Sequence, residues 1–307
     1  MMDASYERAL ITGGSGFVGA ELVRQLQDCG VAIRAPARPA FDLLKPESLQ
    51  EACRDIDVIY HLAAYAHVNQ ADRRCLQAVN VTGTCNLLDA AVAAGVKRLV
   101  YVSSILADPD YDKPRTAYGA SKFQAEQVLK KAHGQGQIAV TIVRPCSVYG
   151  VGMRGNLATL LRLIARGFMP PLPDFNQSFS LISVQDLCAC LRIANQKLQL
   201  SEAASPHVLA LSDGEQYSLK AIESATRIAA GKAPYRMALP RACFYSGALL
   251  MELAGKLMRL NNAPGLRTYR ALARPYCVDD TESQRQLGYN PRITLYQVLP
   301  ELITGQS

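Results

Sequence analysis

No run of about 18 or more consecutive apolar residues, the length needed to cross a bilayer, occurs in the 307-residue chain. The nearest approach, ACFYSGALLMELAGKLMRL, is interrupted by Glu252 and Lys256, so no membrane span is expected. The start, MMDASYERALITGG, lacks a basic region followed by an apolar run, and no secretory leader is expected either. The nine cysteines include no Cys-x-x-Cys pair, and only Cys188 and Cys190 lie close together. An odd, scattered set fits reduced thiols in a cytoplasm, the expected location, better than a disulfide framework. Histidines number four; His61 and His67 lack metal-ligand neighbours, so no metal is expected. The net charge is +7, yet the basic residues occur singly or in pairs such as Lys97-Arg98 and Lys130-Lys131. Without a basic stripe interleaved with aromatics, nucleic acid is not an expected partner, whereas an anionic cofactor or substrate is compatible.

What is present is an ordinary folded composition, 49% hydrophobic and 19% charged, in a chain long enough for one large domain or two unequal ones. The first half alternates strand-like and helix-like segments. ERALIT reads as a buried strand and VGAELVRQLQDCG as a helix stopped by Gly30. VAIRAP, DVIYHLAA, KRLVYVSS and IAVTIVRPCSVYG read as further strands, with helices over ESLQEACRD, CLQAVNVTGTCNLLDAAVAAGV and the segment from Tyr118 to about Ala132. Repeated β–α units predict an α/β fold, a Rossmann-type doubly wound parallel sheet. After Gly150 the rhythm breaks into helices and a proline-rich loop, PPLPDFNQ. The expected division is a Rossmann domain over 1–155 and a smaller, mostly helical substrate lobe over 156–307, with some return of chain to the sheet.

Two features carry chemistry. ITGGSGFVGAELV sets Gly13, Gly16 and Gly19 between a strand and a helix, where backbone N–H groups can meet a pyrophosphate. At the end of the second strand no acid appears before Asp42, but Arg34 and Arg38 do, which favours NADP over NAD. TAYGASKFQAEQ sets Tyr118 and Lys122 four apart on one helical face, either as a proton donor beside a cation or as a ring packed under a lysine stem.

Taken in order, TGGSGFVG, FDLLKPESL, HLAA, NVTGTCNLL, VYVSSI, YGASK, RPCSVYGVG and LGYNPRITL resemble the extended short-chain dehydrogenase/reductase family, the NAD-dependent epimerases and dehydratases. The resemblance implies that Gly13, Gly16, Phe17, Val18 and Gly19 cradle the cofactor. It implies that Asp42 and Leu43 border the adenine, that Leu62, Ala63 and Ala64 lie along the cofactor, and that Pro145 and Val148 wall the nicotinamide pocket. Ser104 would hydrogen-bond the reacting oxygen, with Ser103 the alternative on the opposite face of its strand. Tyr118 would exchange the proton, and Lys122 would bond the ribose and lower the tyrosine pKa. A homodimer through helices near 83–94 and 119–132 is also implied.

The middle segment looks like that of nucleotide-sugar 4-epimerases and 4-reductases, which makes Asn156 a pyrophosphate contact. Such enzymes often carry an arginine where this chain has Phe179, leaving Arg267, Arg270 or Arg274 to serve. The alternative substrate is an apolar ketone: the stripe Leu249, Leu253, Leu257, Leu260 loosely resembles hydroxysteroid-dehydrogenase-like reductases. An answer of another class is a non-catalytic cofactor-binding sensor on the same fold.

Overall fold

Short runs rich in Val, Ile, Leu and Tyr form strands buried on both faces, as a parallel sheet covered by helices requires. The computed structural model describes residues 7–66, 73–111, 116–197, 205–257, 265–266, 269 and 277–304. Its strands are β1 (Arg8–Thr12), β2 (Ala32–Arg34), β3 (Val58–His61), β4 (Arg98–Val102), β5 (Ala139–Pro145), β6 (Ser147–Tyr149), β7 (Leu181–Ser183) and β8 (His207–Leu211). Six of them form one sheet in the order β2-β1-β3-β4-β5-β8, every neighbouring pair parallel. The order reverses at β1, from which the chain moves out to β2 and then back across to β3. In such sheets the ligand crevice lies beyond the carboxyl ends of the strands at that reversal.

The helices are α1 (Phe17–Asp28), α2 (Pro46–Cys53), α3 (Arg73–Leu76), α4 (Gly83–Ala93), α5 (Ala117–Gly134), α6 (Asn156–Arg166), α7 (Val184–Lys197), α8 (Leu219–Ala229), α9 (Arg241–Leu257), α10 (Thr281–Leu287) and α11 (Leu295–Thr304). One π-helical turn, Gln77–Thr82, joins α3 to α4. Helices such as α1, α6 and α8 form where the sequence carries an apolar stripe, and the stops are local. Gly30, at φ +74°, ends the turn after α1, and Gly167, at φ +83°, caps α6. Leu49, Leu87, Ala91, Ala125 and Leu129 from α2, α4 and α5 share a core cluster with Leu10, Ile59, Leu99 and Ile142 from the sheet. Each such leucine stabilises the fold by about 1.5–3 kcal/mol relative to leaving it in water.

The chain divides into two units. Unit 1 is Met1–Cys146, Val184–Leu211 and Asp279–Pro291, and holds the large sheet. Unit 2 is Ser147–Ser183, Ser212–Val278 and Arg292–Ser307, mostly helical, with the small β6–β7 sheet. IAVTIVRPCSVYG, expected as one strand, is two. Cys146 N–H bonds Leu211 O at 3.1 Å, and the chain then leaves the large sheet, so that Ser147–Tyr149 pairs with Leu181–Ser183 instead. Pro145, which has no N–H to extend a ladder, marks the break. Inside unit 2, buried Asp213 accepts the hydroxyls of Tyr149 (2.8 Å) and Tyr217 (2.6 Å). Tyr149 also reaches Ile293 O at 2.6 Å, tying the last segment of the chain to β6.

Candidate active site

The segments that follow β1, β3 and β4 leave adjacent strands of one sheet at the same edge. After β1 the backbone turns at Gly13, at φ +76°, and Gly16 N–H bonds Gly13 O at 2.9 Å. A Cβ on Gly13 would come within 2.9 Å of Ala63 N, and one on Gly19 within 2.1 Å of Gly13 O, so neither position admits a side chain. Helix α1 then starts with no side-chain cap and no acid in its first turn. Its N–H groups and positive dipole end are left for an anion. These residues fit a dinucleotide pyrophosphate. Phe17 and Val18 are half-buried in that first turn.

The two arginines considered for NADP have different environments. The Nη1 of Arg34 lies 3.0, 3.0 and 2.8 Å from the carbonyls of Glu51, Ala52 and Arg54, so this guanidinium caps the carboxyl end of α2. Arg38 is exposed. Asp42 is half-buried and its carboxylate accepts Leu44 N–H at 3.0 Å, whereas Leu43 is buried against Gly83. Leu62, Ala63 and Ala64, half-buried, leave the end of β3, and Leu62 N–H bonds Thr12 O.

Just past β4 (Arg98–Val102) the two serines diverge, as the alternation of extended chain requires. Ser103 is buried and donates to Glu126 Oε1 at 2.6 Å. Ser104 is half-buried and, among the described residues, accepts only Leu106 N–H, at 3.2 Å, as the cap of a short 3₁₀ turn. Ser104 is thus the hydroxyl with capacity for a further partner.

Helix α5 begins at a Thr116 cap that accepts Gly119 N–H at 3.0 Å, which sets Tyr118 in the first turn and Lys122 one turn on. Lys122 is 1% exposed, with its Nζ 4.2 Å from the ring centroid of Tyr101. Another turn along, fully buried Glu126 holds Arg144 of β5 at 2.9 and 2.7 Å, and Arg144 also reaches Asp108 at 2.7 Å. Glu126 therefore clamps the ends of β4 and β5 to the helix that carries Tyr118. Burial drops Lys122 to about 7 against the pull of Glu126, and burial lifts Tyr118 to about 12. The protein's own field thus keeps Tyr118 a proton donor at neutral pH; the lowering implied by the resemblance needs a further positive charge.

Lysine titrates near ~10.4 in an unfolded chain, whereas folded Lys122 titrates at about 7. Below pH 7 the fold carries a buried ammonium at full cost; as pH rises towards the unfolded value, the folded chain holds fewer protons and the cost fades. Between pH 7 and 9, wild type should therefore gain on the order of 2 kcal/mol relative to Lys122→Met. Urea unfolding of the protein without added cofactor reads this, and a pH-independent gap would contradict it.

A directional hydrogen-bond chain joins the cradle to this helix. Ala63 N–H donates to Thr12 Oγ1 (3.2 Å), Thr12 Oγ1 lies 2.7 Å from His61 Nδ1, and His61 Nε2 lies 2.9 Å from Thr84 Oγ1. The Thr84 hydroxyl donates to Asn80 O at 2.7 Å, so its oxygen accepts from His61. The imidazole proton consequently sits on Nε2, and Nδ1 accepts from Thr12. Burial first, then Lys122, lowers His61 to about 3, so the ring stays neutral. Asn80, in the π-helical turn, donates to Ser121 Oγ at 2.9 Å, and Ser121 donates to Tyr118 O at 2.8 Å.

Sequence reasoning missed Glu126, Arg144, Asn80, Thr84 and Ser121. One signal was available: Tyr118, Lys122 and Glu126 recur at four-residue spacing on one helical face. Among the remaining expected residues, Pro145 is buried at the end of β5 in unit 1. In unit 2, Val148 is the half-buried centre of β6, and Asn156 is the exposed first residue of α6. Phe179 is half-buried against the cluster of Leu160, Ile164, Leu172, Phe175 and Leu219, and exchanges backbone bonds with Tyr217 at 2.9 Å. Arg267, Arg270 and Arg274 lie outside the described residues.

The sequence model of the NAD dependent epimerase/dehydratase family matches residues 9–208. The UDP-glucose 4-epimerase of Vibrio cholerae is 28% identical over 317 residues, covering 94% of this chain and 92% of the relative. The 3-beta-hydroxysteroid dehydrogenase of Mycolicibacterium neoaurum is 27% identical over 338 residues, covering 96% of this chain and 90% of the relative. The structure of RMD from Pseudomonas aeruginosa complexed with NADPH shares the fold, with a TM-score of 0.74 at 22% identity over 97% of this chain and 98% of that one.

Proposed function

The chain belongs to the NAD-dependent epimerase/dehydratase family and is an NAD(P)-dependent enzyme of the extended short-chain dehydrogenase/reductase type; on that premise we propose that it acts by hydride transfer at a secondary alcohol or ketone of a nucleotide sugar, as a 4-epimerase or 4-reductase. What supports the chemistry is a Ser104 hydroxyl with spare capacity just past β4, at the end of the sheet that bears the glycine cradle, and Tyr118 one helical turn from Lys122, which is buried against Tyr101 of β4. Tyr118 takes the hydroxyl proton as the carbinol carbon loses hydride, and returns a proton to the oxygen in the reverse direction. Ser104 donates a hydrogen bond to the same oxygen, and Lys122 fixes the ribose and favours the phenolate. Nicotinamide, when bound, accepts and supplies the hydride, and its cationic form adds the positive charge that draws Tyr118 down. In this reading Gly13, Gly16, Phe17, Val18 and Gly19 hold the pyrophosphate, Asp42 and Leu43 the adenine side, and Leu62–Ala64 and Pro145 the nicotinamide side.

Unit 1 takes the cofactor and unit 2 the sugar nucleotide. Charge supports the second assignment: unit 2 has 14 Lys and Arg against 6 Asp and Glu, unit 1 has 19 against 20, so the chain's positive excess belongs to unit 2. The near full-length alignment with a UDP-glucose 4-epimerase supports it too. A second reading, a ketone of steroid or lipid type, is favoured by one contact: Phe179 lies in an apolar cluster where a phosphate-binding arginine would be expected. Incubation with cofactor and either UDP- and dTDP-hexoses or keto-lipids decides between them. Both cofactor fluorescence and sugar products are followed, because an epimerase returns its hydride. Turnover of keto-lipids alone would overturn the nucleotide-sugar reading.

NADP is the proposed cofactor, NAD the alternative, and Arg38 the residue that selects. Arg38→Ala should weaken NADP about tenfold, as loss of one charge-assisted bond does, and leave NAD within about twofold. Fluorescence titration reads both, and equal weakening of the two would reject Arg38. The nine free cysteines support a cytoplasmic place. The homodimer through α4 and α5 rests on the family alone, because the leucines of both helices are buried in the chain's own core.

A further inference from the structure

Helix α9 is apolar on the side that meets water. Its inward residues recur at helical spacing: Phe244 stacks with Tyr269 at 6.1 Å, and Glu252 accepts Leu266 N–H at 3.1 Å. The outward arc carries Leu249, Leu250 and Leu253, which are 38, 66 and 53% exposed, beside Tyr245 at 44%, and Met251, further round the helix, is 50% exposed. Met237, just before the helix, is 78% exposed. An ordinary surface helix has the opposite arrangement, with its acid outside and its leucines inside. Exposed apolar side chains clustered on one helix in this way mark a surface with a partner.

Charge says which partner. Between Arg227 and Leu257 the chain has Arg227, Lys232, Arg236, Arg241 and Lys256 against one acid, Glu252, and that acid is turned inward. Arg236, beside Met237, is exposed; Arg241 is exposed too, with its Nε donating to Asp174 O at 2.8 Å. A second copy docking through the same face would set this positive rim against itself, since a two-fold contact brings identical patches together. An anionic lipid surface meets both requirements, taking the leucines into its acyl boundary and the arginines at its phosphates. No helix among the described residues is long and apolar enough to cross a membrane, so the contact is peripheral.

We propose that α9 is a membrane-docking helix that lies in the interface of an anionic phospholipid bilayer. The surface belongs to unit 2 and uses none of the residues assigned to hydride transfer, so it stands or falls apart from the catalytic reading. The test is flotation of the full chain with vesicles of phosphatidylglycerol and phosphatidylethanolamine, or of phosphatidylcholine alone, at low and high salt. Wild type should float with the anionic vesicles and remain at the bottom with phosphatidylcholine or high salt. Leu250→Glu combined with Leu253→Glu should reduce flotation at least tenfold, and Arg236→Ala should reduce the preference for anionic lipid. Cofactor affinity and thermal melting of both variants should match wild type, since every changed side chain is exposed. The proposal is overturned if wild type does not float with anionic vesicles, or if the Leu250→Glu, Leu253→Glu variant floats equally well. It is also overturned if that variant halves the solution mass while wild type fails to float, which would make a second copy the occupant.

Discussion

Tyr118→Phe should lower turnover about 10²–10⁴-fold, the range that removal of a positioned acid–base group produces, while the cofactor dissociation constant stays within about threefold. The substitution removes one oxygen and keeps the ring. The fold holds this residue through its backbone, since Ser121 bonds the Tyr118 carbonyl at 2.8 Å. Lys122 stays buried beside Tyr101, so the proposed ribose contact survives. What is lost is a phenol that burial keeps protonated, at about 12, and therefore able to donate to a developing alkoxide. Steady-state turnover and fluorescence titration separate the two effects. Turnover within twofold of wild type would return Tyr118 to the status of a packed ring.

Glu126→Ala should destabilise unit 1 by about 3–5 kcal/mol, the cost of removing one partner from a buried ion pair. Glu126 is fully buried and accepts Ser103 Oγ and two Arg144 nitrogens. Without it Arg144 keeps only Asp108, and Ser103 loses its acceptor. Thermal melting should fall by roughly 10 °C. Replacing both partners, Glu126→Leu with Arg144→Met, should recover much of the loss, because no charge is then left unpaired. Equal loss in the single and double variants would show that the pair's charge is not what the fold needs. Because Glu126 joins β4 and β5 to the helix bearing Tyr118, turnover should fall further than stability alone accounts for.

These two residues show what the sequence reveals and what it hides. Tyr118 and Lys122 are legible because their chemistry is local: four residues on a helix place both on one face. Gly13, Gly16 and Gly19 are legible for the same reason, since a tight turn between strand and helix excludes side chains over a few positions. The β–α rhythm likewise predicts the parallel sheet. Glu126 and Arg144 are 18 residues apart, and Thr12 and His61 are 49 apart. Such pairs are created by strand order, which the periodicity of a single segment does not encode. Arg34 fails differently. Its position at the end of β2 suits a phosphate, but the same position lies beside the open carbonyls at the end of α2, and the structure gives it to them. The break at Pro145 was hidden because residues on both sides have the apolar, β-branched character of strands; only pairing with β8 or β7 separates them.

The most direct measurement is a structure with cofactor and a UDP-hexose bound. The proposed chemistry places the sugar C4 oxygen within about 2.6–3.2 Å of the hydroxyls of both Tyr118 and Ser104, the reach that proton exchange demands, with Ser103 still on Glu126. A sugar oxygen bound away from Tyr118, or held by Ser103 instead of Ser104, would contradict it.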